Sequence, residues 1–328
     1  MSLGEFDLIK RYFKQAALKN THADVVIGIG DDCAILDVPE GYQLAVTTDS
    51  LVAGVHFFED VCAYRLGYKS LAVNLSDLAA MGALPKWVSL AITLPSVDEK
   101  WLSEFSRGFF ELANKHNISL IGGDTTKGPL SITVSAKGIV PRQKALLRSG
   151  ANVGDLICVS SVLGNGALGL ASKLDQMQLK EPDSFVDALE LTEPRNELGV
   201  LLTHYASSCI DISDGLLQDL GHIVEASQCC ATVKLETLPL SIAMQKEIEH
   251  QTLSLDQALH YALTGGDDYE LLFTINEQHY KQLILQTLPV AITVIGEVVE
   301  QQSQKIQLTN NDESVSSQLS GWDHFKQN

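Results

Sequence analysis

Strand-like and helix-like segments alternate along the entire chain, and that alternation limits the fold more than any other feature. Leu44 to Thr48, Trp87 to Leu94, Ser131 to Val140, Asp155 to Ser160 and Ser208 to Ile212 read as strands. Between them, Tyr64 to Met81 sets Leu71, Leu75 and Leu78 at helical spacing. Asp98 to Asn117 does the same with Leu102, Phe105, Phe109 and Leu112. The pattern predicts an α/β or α+β protein. With 328 residues it is more naturally two domains than one. The turn-rich polar stretch after Val140, Pro-Arg-Gln-Lys and then Arg-Ser-Gly-Ala-Asn-Val-Gly-Asp, puts the expected boundary near 150, giving domains of 1–149 and 150–328. Gln301 to Ser320, rich in Gln and Ser, reads as a surface hairpin.

Charge narrows the partners. With 23 Lys+Arg against 41 Asp+Glu the formal net charge is −18, and no basic run occurs, which argues against nucleic acid. Metal ions can still join small anions to carboxylates. The N-terminus lacks the pattern of a signal peptide, and Leu156 to Ser172 is too short and polar to span a bilayer. The six cysteines show no Cys-x-x-Cys spacing. Cys33, Cys158 and Cys209 lie in apolar, strand-like surroundings, so reduced, buried thiols in a cytoplasmic protein are expected.

The placement of the acidic residues is the functional signal. Apolar strands repeatedly run into Asp flanked by Gly, Ser or Thr: Gly-Ile-Gly-Asp31-Asp32, Thr47-Thr48-Asp49-Ser, Gly122-Gly123-Asp124-Thr-Thr, Asp211-Ile-Ser213-Asp214-Gly215 and Gly265-Gly266-Asp267-Asp268. Asp77 joins them from a helix-like segment. Strand ends fix the backbone and free the side chains, and glycine lets backbone amides approach phosphate. Carboxylates facing one point repel unless cations neutralise them, and all-oxygen donors select Mg²⁺ over zinc. Several Mg²⁺ ions holding a polyphosphate is the chemistry this composition suits. A lone Asp after a strand is more often a turn former or helix cap, and Asp214-Gly215, or Ser213, could cap the helix-like Leu216 to Ala226. Neither a P-loop nor the protein-kinase motifs occur, and Gly164-Asn165-Gly166 alone is poor support for a dinucleotide site.

On these residues the chain resembles the bacterial thiamine-monophosphate kinases from end to end. The likeness runs through Gly4-Glu-Phe, Gly28-Ile-Gly-Asp-Asp-Cys, Thr48-Asp-Ser-Leu-Val-Ala-Gly-Val-His56-Phe and Asn74-Leu-Ser-Asp-Leu-Ala-Ala-Met-Gly-Ala. It continues in Gly122-Gly-Asp-Thr-Thr-Lys-Gly-Pro-Leu, Arg148-Ser-Gly-Ala, Asp211-Ile-Ser-Asp-Gly-Leu, Gly265-Gly-Asp-Asp-Tyr-Glu-Leu and Gly321-Trp-Asp-His-Phe. The resemblance implies the two-domain aminoimidazole ribonucleotide synthetase-like fold. An N-terminal α/β domain would bind Mg-ATP and dimerise through its sheet, and a C-terminal α/β domain would complete the phosphate and substrate site. It implies ATP-dependent conversion of thiamine phosphate to thiamine diphosphate by a homodimer. Carried over by motif, the Mg²⁺ ligands are Asp32, Thr47, Thr48, Asp49, Asp77, Asp124, Asp211 and Asp214. ATP would meet Gly123, Asp124, Arg148 and Ser213, and thiamine phosphate His56, Asp267 and Trp322. Asp31 would shape the backbone beside Asp32. Asp267 stands where the family usually has Glu, one methylene longer, and a water could fill the gap.

The implied acceptor explains why no catalytic dyad is visible. A phosphate monoester has a second pKa of about 6, so its oxygen is largely ionised near neutrality and needs no general base. Transition-state stabilisation would fall to the metal-held Asp49, Asp77 and Asp124, with direct in-line transfer. Two other readings remain at this stage: a non-catalytic acidic metal-binding protein, and a related ATP-dependent enzyme acting on another oxyanionic acceptor.

Overall fold

The computed structural model describes residues 5–311 and 313–315. Trp322 lies outside them. The described chain divides into two compact units, one of residues up to 78 plus 83–143, the other of 79–82 plus 144 onward.

In the first unit, a small hairpin of β1 (Val25–Ile27) and β2 (Ile35–Leu36) precedes a four-stranded sheet. The sheet contains β3 (Tyr42–Val52), β4 (Leu84–Leu94), β5 (Ser119–Lys127) and β6 (Ser131–Pro141) in the order β3-β6-β4-β5. The long helices of this part of the chain, among the described residues, are α1 (Ala63–Ala80) and α2 (Glu99–Lys115). Leu71, Leu75 and Leu78 of α1 and Leu102, Phe105, Phe109 and Leu112 of α2 are all essentially inaccessible to solvent. Those are the positions at helical spacing, and their burial is what makes these segments helices of a folded protein rather than marginal ones. Asp98 caps α2 by accepting from the N–H groups of Lys100 and Trp101. Strands β4 and β5 run parallel with α2 between them, as a parallel pair requires a crossover.

The second unit carries a seven-stranded sheet. It comprises β7 (Leu156–Ser160), β8 (Ser208–Asp211), β9 (Cys230–Lys234), β10 (Leu271–Ile275), β11 (Ile292–Val299), β12 (Ile306–Asn310) and β13 (Glu313–Val315), in the order β13-β12-β9-β11-β7-β10-β8. Among the described residues of this sheet, only β9 and β12 pair in parallel. The expected hairpin near 301–320 is present in its described part as β12-β13, at the sheet edge. Every residue of β10, which lies between β7 and the edge strand β8, is buried, as in a strand covered on both faces. Helices α3 (Asn165–Lys173), α4 (Leu216–Ser227) and α5 (Leu255–Thr264) belong to this unit. Leu216, Leu220, Ile223 and Val224 of α4 join Ile157, Ile210 and Leu272 in one apolar cluster.

One expectation fails here. Cys158 and Cys209 are buried as expected, and burial drives both thiols well above the ordinary range. Cys33 is exposed. It falls in the bend before β2, a strand of only two residues whose own Ile35 is exposed, so this short apolar run lies at the surface rather than in a core strand.

Candidate functional site

In the first unit the alternation of a single strand sorts the candidates. Along β3, Thr47 and Asp49 are half-buried while Thr48 and Ser50 are exposed, as residues one apart must face opposite ways. Asp77 of α1 meets the first pair: the Thr47 hydroxyl donates to the Asp77 carboxylate. One turn earlier on the same helix face, Asn74 is fully buried and accepts from the Asp49 N–H at 3.2 Å while donating to the Ser70 carbonyl at 3.2 Å. Asn74 thus clips α1 to β3 and fixes where Asp49 and Asp77 stand. Burial, reinforced by the Asp77 carboxylate, pushes the Asp49 carboxyl up to about 6. Two carboxylates held together in this way form a site that favours a cation.

Thr48 does not join that cluster. Its hydroxyl donates to the Thr47 carbonyl at 2.8 Å on the exposed face. Asp124 also stands apart. It sits within β5, three strands from β3 (roughly 14 Å across the sheet). Its neighbour Thr125 pairs with Ile92, Ile92 with Ile132 and Ile132 with Leu51, so Thr125 shares the face of Asp49 and Asp124 takes the other. Before it, Gly123 has φ +153°, and a Cβ there would lie 1.8 Å from the Leu90 carbonyl oxygen, so only glycine fits. Asp32 is exposed in the loop after β1, its N–H bonded to the Asp31 carboxylate at 2.9 Å. His56, after β3, accepts the Val52 N–H on Nδ1 at 3.2 Å, and that bond leaves Nδ1 as the unprotonated ring nitrogen. The expectation that these acids sit at strand ends holds for Asp211 but not for Asp49 and Asp124, which lie inside long strands, nor for Asp267, which follows a helix.

In the second unit, β8 ends on the buried Asp211. Beyond it the ladder with β10 continues into loops: Ile212 donates to the Glu270 carbonyl (2.8 Å), Tyr269 to Ile212 (2.8 Å) and Asp267 to Ser213 (3.0 Å). Ser213, Asp214 and Asp267 are thereby brought together. A Cβ on Gly266 would come within 2.4 Å of the Ser213 carbonyl oxygen, which is why the second loop opens with glycines. Neither Ser213 nor Asp214 caps α4; the N-cap is Gly215, at φ +117°, with no side-chain bond. Instead Asp219, in the first turn, accepts from the N–H groups of Ser213, Asp214 and Gly215. Asp214 accepts from Gln218 Nε2 at 3.2 Å. Arg148 is exposed, and its carbonyl accepts from Ser227 Oγ.

Other acids in this unit also have backbone or cationic donors, Asp268 and Glu270 among them. The carboxylate of Asp268 is turned inward onto the N–H groups of Gly164 (2.7 Å) and Gly166 (3.2 Å), at the start of α3. Glu270 accepts from Arg195 Nε at 2.7 Å and from Ser160 Oγ at 2.5 Å. Burial pushes Asp219 up to about 7, with Asp211 and Asp214 adding to it, and Asp268 up to about 8 against the pull of its two N–H donors. Glu270 is also raised by burial, with Arg195 opposing. Among the described residues, no three His, Cys, Asp or Glu side chains form a ready-made metal cage.

Residues 30–140 match the family model of the AIR synthase related protein N-terminal domain, and 152–309 that of its C-terminal domain. Thiamine-monophosphate kinase of Haemophilus influenzae is 47% identical over 333 residues, covering 100% of this chain and 99% of that protein. The chain belongs to the thiamine-monophosphate kinase family. Solved thiamine-monophosphate kinase from Stenotrophomonas maltophilia K279a superposes with a TM-score of 0.84 at 42% identity, over 96% of this chain and 99% of that one. AaThiL complexed with AMPPCP and TMP is 29% identical, with a TM-score of 0.77 over 99% of both chains.

Within this thiamine-monophosphate kinase fold, Asn74, Asp219, Asp268 and Glu270 escaped the residue-by-residue reading although each lies in or beside a motif it used. Asp219 had a signal: an acid in the first turn of a predicted helix, five residues after Asp214.

Proposed function

We propose that the chain transfers the γ-phosphoryl group of ATP directly to thiamine phosphate, giving thiamine diphosphate and ADP, in a Mg²⁺-dependent reaction. The observation that carries this reading is the end-to-end identity with thiamine-monophosphate kinases, one of them solved with AMPPCP and TMP. No general base is required of the chain, because the acceptor phosphate has a second pKa of about 6 and is largely ionised at neutral pH.

The donors fit the metal. Asp49, Asp77 and Thr47 offer only oxygen, and the pair of carboxylates is strained by its own charge. Mg²⁺ is commonly held by one or two carboxylates together with substrate phosphates, so two acids suffice where a protein-only cage is absent. Asp49, Asp77 and Thr47 would hold Mg²⁺ there, which would supply positive charge to neutralise phosphate oxygens. In this reading Asp32, Thr48, Asp124, Asp211 and Asp214 are further ligands. Gly123 lets backbone approach the nucleotide, and Arg148 and Ser213 contact its phosphates. His56, Asp267 and Trp322 receive thiamine phosphate.

A homodimer belongs to the same reading. Strand β3 is an edge of eleven residues carrying exposed Tyr42, Leu44 and Val46, a surface that a second sheet would cover. The cytoplasm is the proposed location, in keeping with ATP as co-substrate and six unpaired cysteines. Among the described residues no helix is long and apolar enough to cross a membrane.

The test is incubation with ATP, Mg²⁺ and thiamine phosphate, following thiamine diphosphate by chromatography, with free thiamine and EDTA as controls. Product from thiamine phosphate alone, and only with free Mg²⁺, is expected. Product from free thiamine, or turnover in EDTA, would overturn the acceptor or the metal respectively.

A further inference from the structure

Asp219 is 2% exposed and has no part in the transfer described above. One of its oxygens, Oδ2, accepts three successive backbone N–H groups, from Ser213 at 3.1 Å, Asp214 at 3.2 Å and Gly215 at 3.2 Å. Consecutive amides converging on one point at a helix start form a nest of the kind that binds free anions. Here the chain fills its own nest. Those amides are spent, and the loop bearing Ser213 and Asp214 is held from beneath by a covalently tethered carboxyl oxygen.

Asp268 does the counterpart with both oxygens, Oδ2 on the Gly164 N–H and Oδ1 on the Gly166 N–H. It anchors the Gly265–Tyr269 loop to the start of α3. That loop needs anchoring, because Asp267 and Tyr269 both hold positive φ, +63° and +51°. The two loops are then bonded directly, Asp267 N–H to the Ser213 carbonyl and Tyr269 N–H to the Ile212 carbonyl.

We propose that Asp219 and Asp268 are positioning residues, Asp219 setting Ser213 and Asp214 on the nucleotide and metal side and Asp268 setting Asp267 on the acceptor side. The naming of the two sides rests on the thiamine-phosphate kinase reading; the anchoring does not. Chemistry separates the two anchors further. Asparagine at 219 can still offer one neutral oxygen to the three amides, a weaker acceptor than a carboxylate. At 268 both oxygens are used, so asparagine must set an NH₂ against an N–H, leaving a donor unpaired.

The experiment uses full-length Asp219→Asn, Asp219→Ala and Asp268→Asn. For Asp219→Ala, kcat/KM for ATP is expected to fall about 100-fold and half-saturating Mg²⁺ to rise, with KM for thiamine phosphate unchanged; Asp219→Asn loses about tenfold. Asp268→Asn is expected to raise KM for thiamine phosphate and leave KM for ATP in place. Hydrogen exchange, read without any ligand, should quicken at the 213–215 amides in both Asp219 variants while β8 stays protected. Loss on both substrates in step with a lower melting temperature would reduce both residues to general stabilisers, and wild-type exchange at 213–215 would overturn the anchoring itself. If Asp219→Ala does not fold, Asp219→Asn gives the same readout in smaller measure. Should the wild-type protein make no thiamine diphosphate, the kinase reading fails, and exchange alone still decides whether Asp219 holds its loop.

Discussion

Two sets of acids, one in each unit, are held in opposite ways. In the first, Asp49 and Asp77 face each other, and what acts on Asp49 is burial and a like charge. In the second, Asp219 takes three backbone N–H groups, Asp268 takes two, and Glu270 takes a guanidinium and a hydroxyl. Backbone and cationic donors offset part of what burial costs the second-unit acids, though Asp219 and Asp268 stay raised in spite of them, whereas a pair pressed together without such donors is relieved by a proton or by a cation. On the proposed reading, the contrast separates acids that would meet ligand from acids that would hold those in place.

The largest effect expected from this division is on turnover. Asp49→Asn or Asp77→Asn removes one of two charges awaiting a cation, and should lower kcat by about 10³-fold or more. The same substitution relieves repulsion, so the metal-free protein should melt no lower than wild type. A steady-state assay beside a thermal melt tests both halves at once. Near-normal kcat, or a destabilised apo protein, would break the comparison on its first-unit side.

Next is the Arg195–Glu270 pair. Arg195→Met leaves Glu270, 5% exposed, without its counter-charge, and should cost about 3–5 kcal/mol in urea unfolding. Replacing both, with Glu270→Gln added, should recover most of that loss, because the penalty comes from the stranded charge more than from the missing attraction. A double variant as unstable as the single one would mean that the pair is itself a large net stabiliser.

How much of this was readable beforehand depended on the range of the interaction. The helices were legible because Leu102, Phe105, Phe109 and Leu112 repeat at a helical period and the burial follows from that period alone. Thr47 and Asp49 sharing one face of β3, with Thr48 on the other, also follows from a period of two; the motif carried over from the family, Thr-Thr-Asp, treats all three as one set. Asp124 was legible as a Gly-flanked acid, but its distance from Asp49 depends on strand order, which no local pattern contains. The anchors were illegible for the same reason. Asp268 becomes structural only because a turn about a hundred residues earlier in the chain presents two amides to it. Cys33 erred in the other direction, since a short apolar run looks the same in a core strand and in a loop.

The smallest expected effect, and the finest test of the contrast, is the pH dependence of stability. Asp49 is raised from an ordinary 3.8 to about 6 in the folded protein, so the native state binds the extra proton between those values. The stability it contributes is therefore complete below about pH 4 and is lost as pH rises through about 6, by roughly 1–3 kcal/mol. Asp268, raised to about 8, has the same sign over a wider window, from about 4 to about 8. Unfolding curves for wild type minus Asp49→Asn should thus flatten above pH 6, and those for wild type minus Asp268→Asn only above pH 8. Saturating Mg²⁺ should restore the Asp49 contribution, since a cation favours the ionised pair, and should leave the Asp268 window untouched, since its donors are already in place. If Mg²⁺ moves both windows, the second unit's anchors also feel the metal. If it moves neither, Asp49 and Asp77 are not where the metal goes.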